Sequence, residues 1–173
     1  LIRTGQLYSS SLWKEWTDKV QAKALPGALE FTRYAQSIGV EVIYISNRKV
    51  NELPTTLENL QKEGFPNADS AFVLLRPMDK SSDKTERRAK ISENYEVLLY
   101  IGDNLTDFSQ EYAHRGSDLG FALVDSTKSL LGTKYIILPN PTYGEWEGAI
   151  YGNDYSKSVA EKRALRKEIL EGY

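Results

Sequence analysis

Short apolar runs rich in β-branched residues recur along the chain at regular intervals. The first, at 40–47, reads Val-Glu-Val-Ile-Tyr-Ile-Ser-Asn and predicts a buried strand. Runs at 71–75, 97–101 and 135–138 have the same character, and 121–124 is a weaker fifth. Between them the apolar positions fall at helical spacing. Pro26 suits a first helical turn, Leu29 and Arg33 follow four residues apart, and Gly39 closes the helix. Pro54 opens a second helix with Leu57 and Leu60 on one face and Gly64 at its end. Ser81-Ser82-Asp83 precedes a third that carries Lys84, Arg87, Arg88 and Ile91. Leu105, Phe108 and Tyr112 lie on one stripe of a fourth. Ser156 is placed to cap a charged C-terminal helix running through Val159, Leu165 and Ile169.

Strands that alternate with helices of about ten residues indicate βαβ units and a mostly parallel sheet. Right-handed crossovers then set the active crevice at the carboxyl ends of the strands. The expected organisation is a helical segment at 1–25 near the active-site entrance, an α/β core at 26–155 and a C-terminal helix at 156–173.

Composition narrows the choices. The chain has 173 residues, which favours one domain, and 40% hydrophobic residues, which is enough for a core. Its formal net charge of −2 argues against general nucleic-acid or anionic-membrane binding. Cysteine is absent, so disulfides, thiolate metal sites and cysteine nucleophiles are excluded. His114 is the single histidine, which excludes multi-histidine metal sites. Leu1 is not an initiator methionine, and Leu1-Ile2-Arg3-Thr4-Gly5 reads like the interior of something longer.

Chemistry collects after the strands. The first ends in Ser46-Asn47-Arg48 and the third in Gly102-Asp103-Asn104-Leu105-Thr106-Asp107-Phe108. Two carboxylates four residues apart, just past a buried strand, suit a hard divalent cation such as Mg²⁺. A lysine, a serine hydroxyl and helix N-terminal amides suit the oxygens of a phosphate. Each piece alone has a plainer reading. The Gly-Asp-Asn-x-x-Asp string fits a strand-end turn with a capping Asp, Ser46 fits a helix cap, and Lys84 fits a solvated lysine. Order and spacing across four elements give the functional reading its weight.

In that order the chain resembles the haloacid-dehalogenase-like phosphohydrolases. They carry a Ser/Thr after the second core strand, then a Lys, then Gly-Asp-x-x-x-Asp after a later strand. More narrowly, 98–108, Leu-Leu-Tyr-Ile-Gly-Asp-Asn-Leu-Thr-Asp-Phe, is similar to the C-terminal signature of bacterial class C acid phosphatases. Trp13-Lys14-Glu15-Trp16, Leu25-Pro26-Gly27-Ala28, Ser46-Asn47-Arg48-Lys49 and Tyr143-Gly144-Glu145-Trp146-Glu147-Gly148 add support, so the resemblance covers roughly 13–150.

The resemblance implies a haloacid-dehalogenase-like α/β fold, a Rossmann-like parallel sheet with helices on both faces, and a Mg²⁺-dependent acid phosphatase acting on phosphomonoesters. Ser46 and Lys84 would be catalytic, the first donating to a phosphoryl oxygen and the second neutralising charge. Asp103 would hold Mg²⁺, with Asp107 supporting it. Trp13, Asn47, Arg48, Asn140 and Tyr143 would bind substrate, Tyr143 by stacking on a nucleotide base. The implied substrates are nucleotides and aryl phosphates, with no nucleic-acid partner. The implied setting is extracytoplasmic, secreted or lipid-anchored at a bacterial cell surface, with a membrane anchor through an upstream lipoprotein segment and a homodimer both left open.

One departure is large. The family's Asp-x-Asp-Glu-Thr string, which provides nucleophile and general acid, is absent from residues 1–173. The expectation is therefore that the first core strand is missing and the nucleophile lies upstream. The alternative is a non-catalytic fragment that binds only phosphate or metal.

Overall fold

The computed structural model describes residues 9–113, 115–140 and 144–170. His114 and Tyr143 lie outside the described residues. The chain divides into two compact units, Leu1–Ser82 and Asp83–Tyr173.

In the first unit, α1 (Ser10–Asp18) is capped by Ser9, whose hydroxyl accepts from the Leu12 amide at 3.3 Å. Then come α2 (Ala28–Ser37), β1 (Tyr44–Lys49), a 3-10 turn at Val50–Glu52, α3 (Leu53–Glu63) and β2 (Val73–Arg76). Pro54 in the first turn of α3 loses no hydrogen bond there, and Gly64 ends the helix at φ 83°, where a side chain would be strained. Strands β1 and β2 pair in parallel, with Tyr44 opposite Val73 and Ser46 opposite Leu75. Val73 and Leu75 are buried, as are Ala35 of α2 and Val20 after α1.

The second unit runs α4 (Thr85–Ser92), β3 (Tyr100–Gly102), 3-10 turns at Leu105–Asp107 and Gln110–Ala113, and α5 (Phe121–Ser126). A 3-10 turn at Lys128–Leu130, β4 (Tyr135–Ile137), α6 (Glu145–Ile150) and α7 (Val159–Glu168) complete it. Strands β3 and β4 are also parallel, Tyr100 facing Tyr135 and Gly102 facing Ile137. Phe108 and Tyr112 are buried, and the Phe108 ring stacks on Tyr135 at 4.8 Å.

Parallel strands joined through helices are the α/β architecture that the alternation predicts, with each strand pair inside one unit. Four local expectations need correction. Residues 40–43 and 97–99 carry strand-like sequence but form no ladder. The reason is register: pairing begins where Tyr44 donates to Phe72 and Tyr100 donates to Lys134, so the earlier residues overrun their partners. Residues 121–124 are helical, not extended. Asp118 accepts from the amides of Gly120 and Ala122 at 3.1 and 2.9 Å, which seeds α5. The stripe is broken, not one helix: Leu105 and Tyr112 sit in two separate 3-10 turns and Phe108 lies between them. Asp107 and Ser109 divert local amides by accepting from Asn104 and Glu111. The cap of α7 is Ser158, in a reciprocal box with Glu161, while Ser156 bonds Asp154 instead.

Candidate active site

The second unit builds its polar centre where β3 ends. Gly102 is the last strand residue, and the Asp107 side chain folds back over it. A Cβ at Gly102 would lie 2.6 Å from the Asp107 Cβ, closer than real Cβ contacts, so only glycine lets this turn close. The Asn104 amide donates to Asp107 Oδ2 at 3.2 Å, while Lys84 Nζ donates to Asp107 Oδ1 at 2.6 Å. Lys84 caps the start of α4, and both side chains of this pair are mostly buried, 14% and 17% exposed. One turn along α4, buried Arg88 donates to the carbonyls of Thr106 and Asp107 at 3.0 and 3.3 Å. Two cations on one helix thus hold the loop that carries both carboxylates.

Asp103 is held differently. Its Oδ1 accepts from Asn104 Nδ2 at 3.1 Å and its Oδ2 from Asn140 Nδ2 at 2.9 Å. Both donors are neutral amides, and among the described residues no cation pairs with Asp103. The negative charge is therefore oriented but not neutralised. Asp103, Asn104, Asn140, Arg115 and Trp146 line an open pocket of about 220 Å³. Asn104 Oδ1 is buried without a hydrogen-bond partner. It sits so close to Gly144 that a Cβ there would overlap it, and Gly144 has φ 149°. Among the described residues no group of three His, Cys, Asp or Glu side chains is arranged to hold a metal. The metal donors on offer at this pocket are the Asp103 carboxylate and amide oxygens beside it.

The first unit places the other candidates around the carboxyl end of β1. Ser46 Oγ accepts from the Arg48 amide at 3.2 Å, a local turn rather than a helix cap. Asn47 Nδ2 donates to the Ser82 carbonyl at 2.9 Å. Arg48 donates to Thr56 Oγ1 at 3.1 Å, and its guanidinium lies 5.8 Å from the Trp13 ring and 5.6 Å from the Trp16 ring. Burial lowers the Arg48 pKa, opposed by the charge of Glu52. Glu52 organises this cluster: its Oε1 accepts from Trp13 Nε1 and Thr17 Oγ1, each at 3.2 Å, and its Oε2 from the Lys49 amide at 2.7 Å.

The structure thus brings Lys84, Asp103, Asp107 and Asn140 together in one unit, and Trp13, Ser46, Asn47 and Arg48 lie in the other. Four residues of these clusters were not singled out for chemistry by sequence: Glu52, Arg88, Asn104 and Arg115. Arg88 sits four residues after Lys84, on the same helix face, and that spacing was its signal. Asn104 lies inside the carboxylate string itself. Arg115 follows the turns in a loop, where spacing carries no signal.

Comparisons with known proteins agree with this picture. The profile of the HAD superfamily, subfamily IIIB (Acid phosphatase), matches residues 2–146. A class C acid phosphatase from Bacillus anthracis is 39% identical and superposes with a TM-score of 0.90, covering 99% of this chain and 71% of that one. A second structure of that enzyme, with tungstate bound, is 38% identical at a TM-score of 0.91, with the same coverage. The stem 28 kDa and stem 31 kDa glycoproteins of Glycine max are each 33% identical over 122 residues, 67% of this chain. That match takes in 47% and 41% of their lengths, so the chain spans about half or less of these curated relatives.

Proposed function

Since the chain belongs to the HAD superfamily, subfamily IIIB of acid phosphatases, we propose that it supplies the phosphate-binding and cation-holding parts of a phosphomonoesterase. The observation that carries this reading is the contrast between its two carboxylates. Asp107 is matched by Lys84, while Asp103 is oriented by amides and keeps its charge for something else.

A divalent cation, Mg²⁺ by the chemistry of the donors, fits at Asp103. Hard cations take carboxylate and amide oxygens and keep several waters. Asn104 Oδ1, buried and without a donor, is a second oxygen beside it. Bound there, the cation would draw negative charge from a phosphoryl oxygen. Asp107 has one oxygen on Lys84 and the other on the Asn104 amide, so it supports the site by fixing these two residues. Lys84, anchored through one of its protons, keeps two N–H donors for a phosphate. The role proposed for Ser46 is that of a hydroxyl donor to a phosphoryl oxygen.

In this reading the attacking group is the first Asp of an Asp-x-Asp string upstream of residue 1. In-line attack gives an aspartyl-phosphate, and the second Asp protonates the leaving oxygen and then activates water. The substrates are nucleoside monophosphates and aryl phosphates, with Trp13 and Tyr143 as aromatic surfaces for the leaving group. Tungstate in the Bacillus anthracis structure supports a phosphate site, because tungstate is a tetrahedral oxyanion like phosphate. The soybean relatives are named glycoproteins, which supports a setting outside the cytoplasm.

The test uses the polypeptide that carries the upstream string. It is expected to hydrolyse an aryl phosphate with added Mg²⁺. Asp103→Asn should lower turnover by at least about a hundredfold, because it removes the charge a cation needs and sets a new amide against the two existing donors. Full turnover of that variant at limiting Mg²⁺ refutes the assignment.

A further inference from the structure

The pocket that holds Asp103 has a second charged wall. Arg115 lines it together with Asn140 and Trp146, and the residue is partly buried. Its stem is fixed against the backbone of Gly120, where an added Cβ would come within 3.1 Å of Arg115 Cγ. Its hydrogen bonding is incomplete. Nε donates to the Tyr112 carbonyl at a long 3.4 Å, and among the described residues no acceptor meets either terminal nitrogen. No described carboxylate forms an ion pair with it. Burial lowers its pKa, and the more distant charge of Glu145 opposes that shift. A guanidinium has five N–H donors and stays charged, so a partly desolvated one with four idle donors is at a cost that a ligand would offset.

Three other cations of the second unit contrast with it. Arg88 is spent on two carbonyls and Thr85, Lys84 on Asp107, and Arg166 on Glu147. Arg115 alone among these combines a place in the pocket wall with donors left over. Its planar fork matches an oxyanion in two-point contact, which a single hydroxyl does not provide.

We infer that Arg115 is a specificity-determining residue of the phosphatase site, receiving a second anionic group on the leaving-group side of the substrate. This rests on the phosphomonoesterase reading. The reacting phosphate lies toward Asp103, the body of the leaving group crosses the pocket beside Trp146, and a carboxylate or second phosphate ends on Arg115. The substrate class is therefore doubly anionic phosphomonoesters.

The experiment measures binding of inert phosphonates by calorimetry, in the polypeptide carrying the upstream string and in saturating Mg²⁺. The probes are benzylphosphonate, its 4-carboxy derivative and 1,4-xylylenebisphosphonate. The second and third distinguish a carboxylate from a phosphoryl group at Arg115. The expected result is that at least one of them binds about tenfold or more tightly than benzylphosphonate. That preference should collapse to about one in Arg115→Gln and survive in part in Arg115→Lys. Equal affinities for all three probes in the wild type overturn the inference, and so does an Arg115→Gln variant that weakens all three by one factor. Failure of every phosphonate to bind instead overturns the phosphate-site reading itself, and the inference falls with it.

Discussion

At the scale of single residues, the site depends on one close approach. Asp107 packs over the α-carbon of Gly102, and this brings its carboxylate to Lys84 and to the Asn104 amide. Gly102→Ala adds one methyl with nowhere to go, since the neighbouring atoms include the Asp107 Cβ at 2.6 Å and not only a flexible tip. Overpacking of this kind costs about 1–3 kcal/mol. The larger effect should be on the Lys84 ion pair, which cannot keep its geometry once Asp107 shifts. Chemical denaturation should show the stability loss. Exchange broadening or a shifted signal of the Lys84 ammonium should report the broken pair. A variant with wild-type stability and an intact pair would mean that the loop absorbs the methyl elsewhere. A glycine at a strand end permits a sharp turn, and here Asp107 also occupies the space a side chain would take.

At the scale of elements, the first unit is tied together by side chains that replace missing backbone partners. Asn59 of α3 accepts from the Ala22 amide at 2.9 Å and donates to the Ala22 carbonyl at 2.8 Å. It is nearly buried, so Asn59→Ala leaves two backbone groups short of partners, at roughly 1–3 kcal/mol in all. A lower urea midpoint with an unchanged slope is the expected readout. Tyr44 at the start of β1 gives an alkaline signature. Burial raises its pKa from the usual 10.0 to about 12, and its hydroxyl donates to the Pro66 carbonyl at 2.6 Å. The fold therefore holds this proton more tightly than the unfolded chain does. That contribution is complete below pH 10 and is lost as the pH rises through about 12. Tyr44→Phe should lose less stability across that interval, and an identical slope would show that the phenol does not titrate in the folded state. Elements of this kind were legible where periodicity and end signals agreed, as in α3 between Pro54 and Gly64. They were misread where a side chain captured local amides, as Asp118 does in front of α5. Composition at 121–124 favours a strand, and a capping contact overrides it. The candidates Asp103 and Asp107 could be picked out from sequence because their string is contiguous with β3. Glu52, which places Trp13, and Arg115 act through contacts that the linear sequence does not encode as a pattern.

At the scale of the whole chain, apolar side chains remain uncovered beside and within the strands of the second unit. Leu98, Leu99, Ile101 and Ile137 are 53%, 40%, 45% and 46% exposed. Parallel strands are normally covered on both faces, so apolar side chains left exposed along them mark surface that another element would meet. In the proposed enzyme that element also brings the Asp-x-Asp string, since residues 1–173 contain no such string. Two consequences should then appear together. Residues 1–173 alone should bind an apolar dye and unfold with a shallow denaturant slope, because much of the apolar surface is already in water. They should also fail to hydrolyse an aryl phosphate, since in the proposed reading a cation at Asp103 and a donor from Lys84 would neutralise charge but would not attack phosphorus. Adding the upstream segment should remove the dye binding and restore hydrolysis in the same preparation. Removing the dye signal without restoring hydrolysis would separate the roles and favour a phosphate-binding protein without turnover. Hydrolysis by residues 1–173 alone would place the nucleophile within this chain and end the assignment to an upstream aspartate.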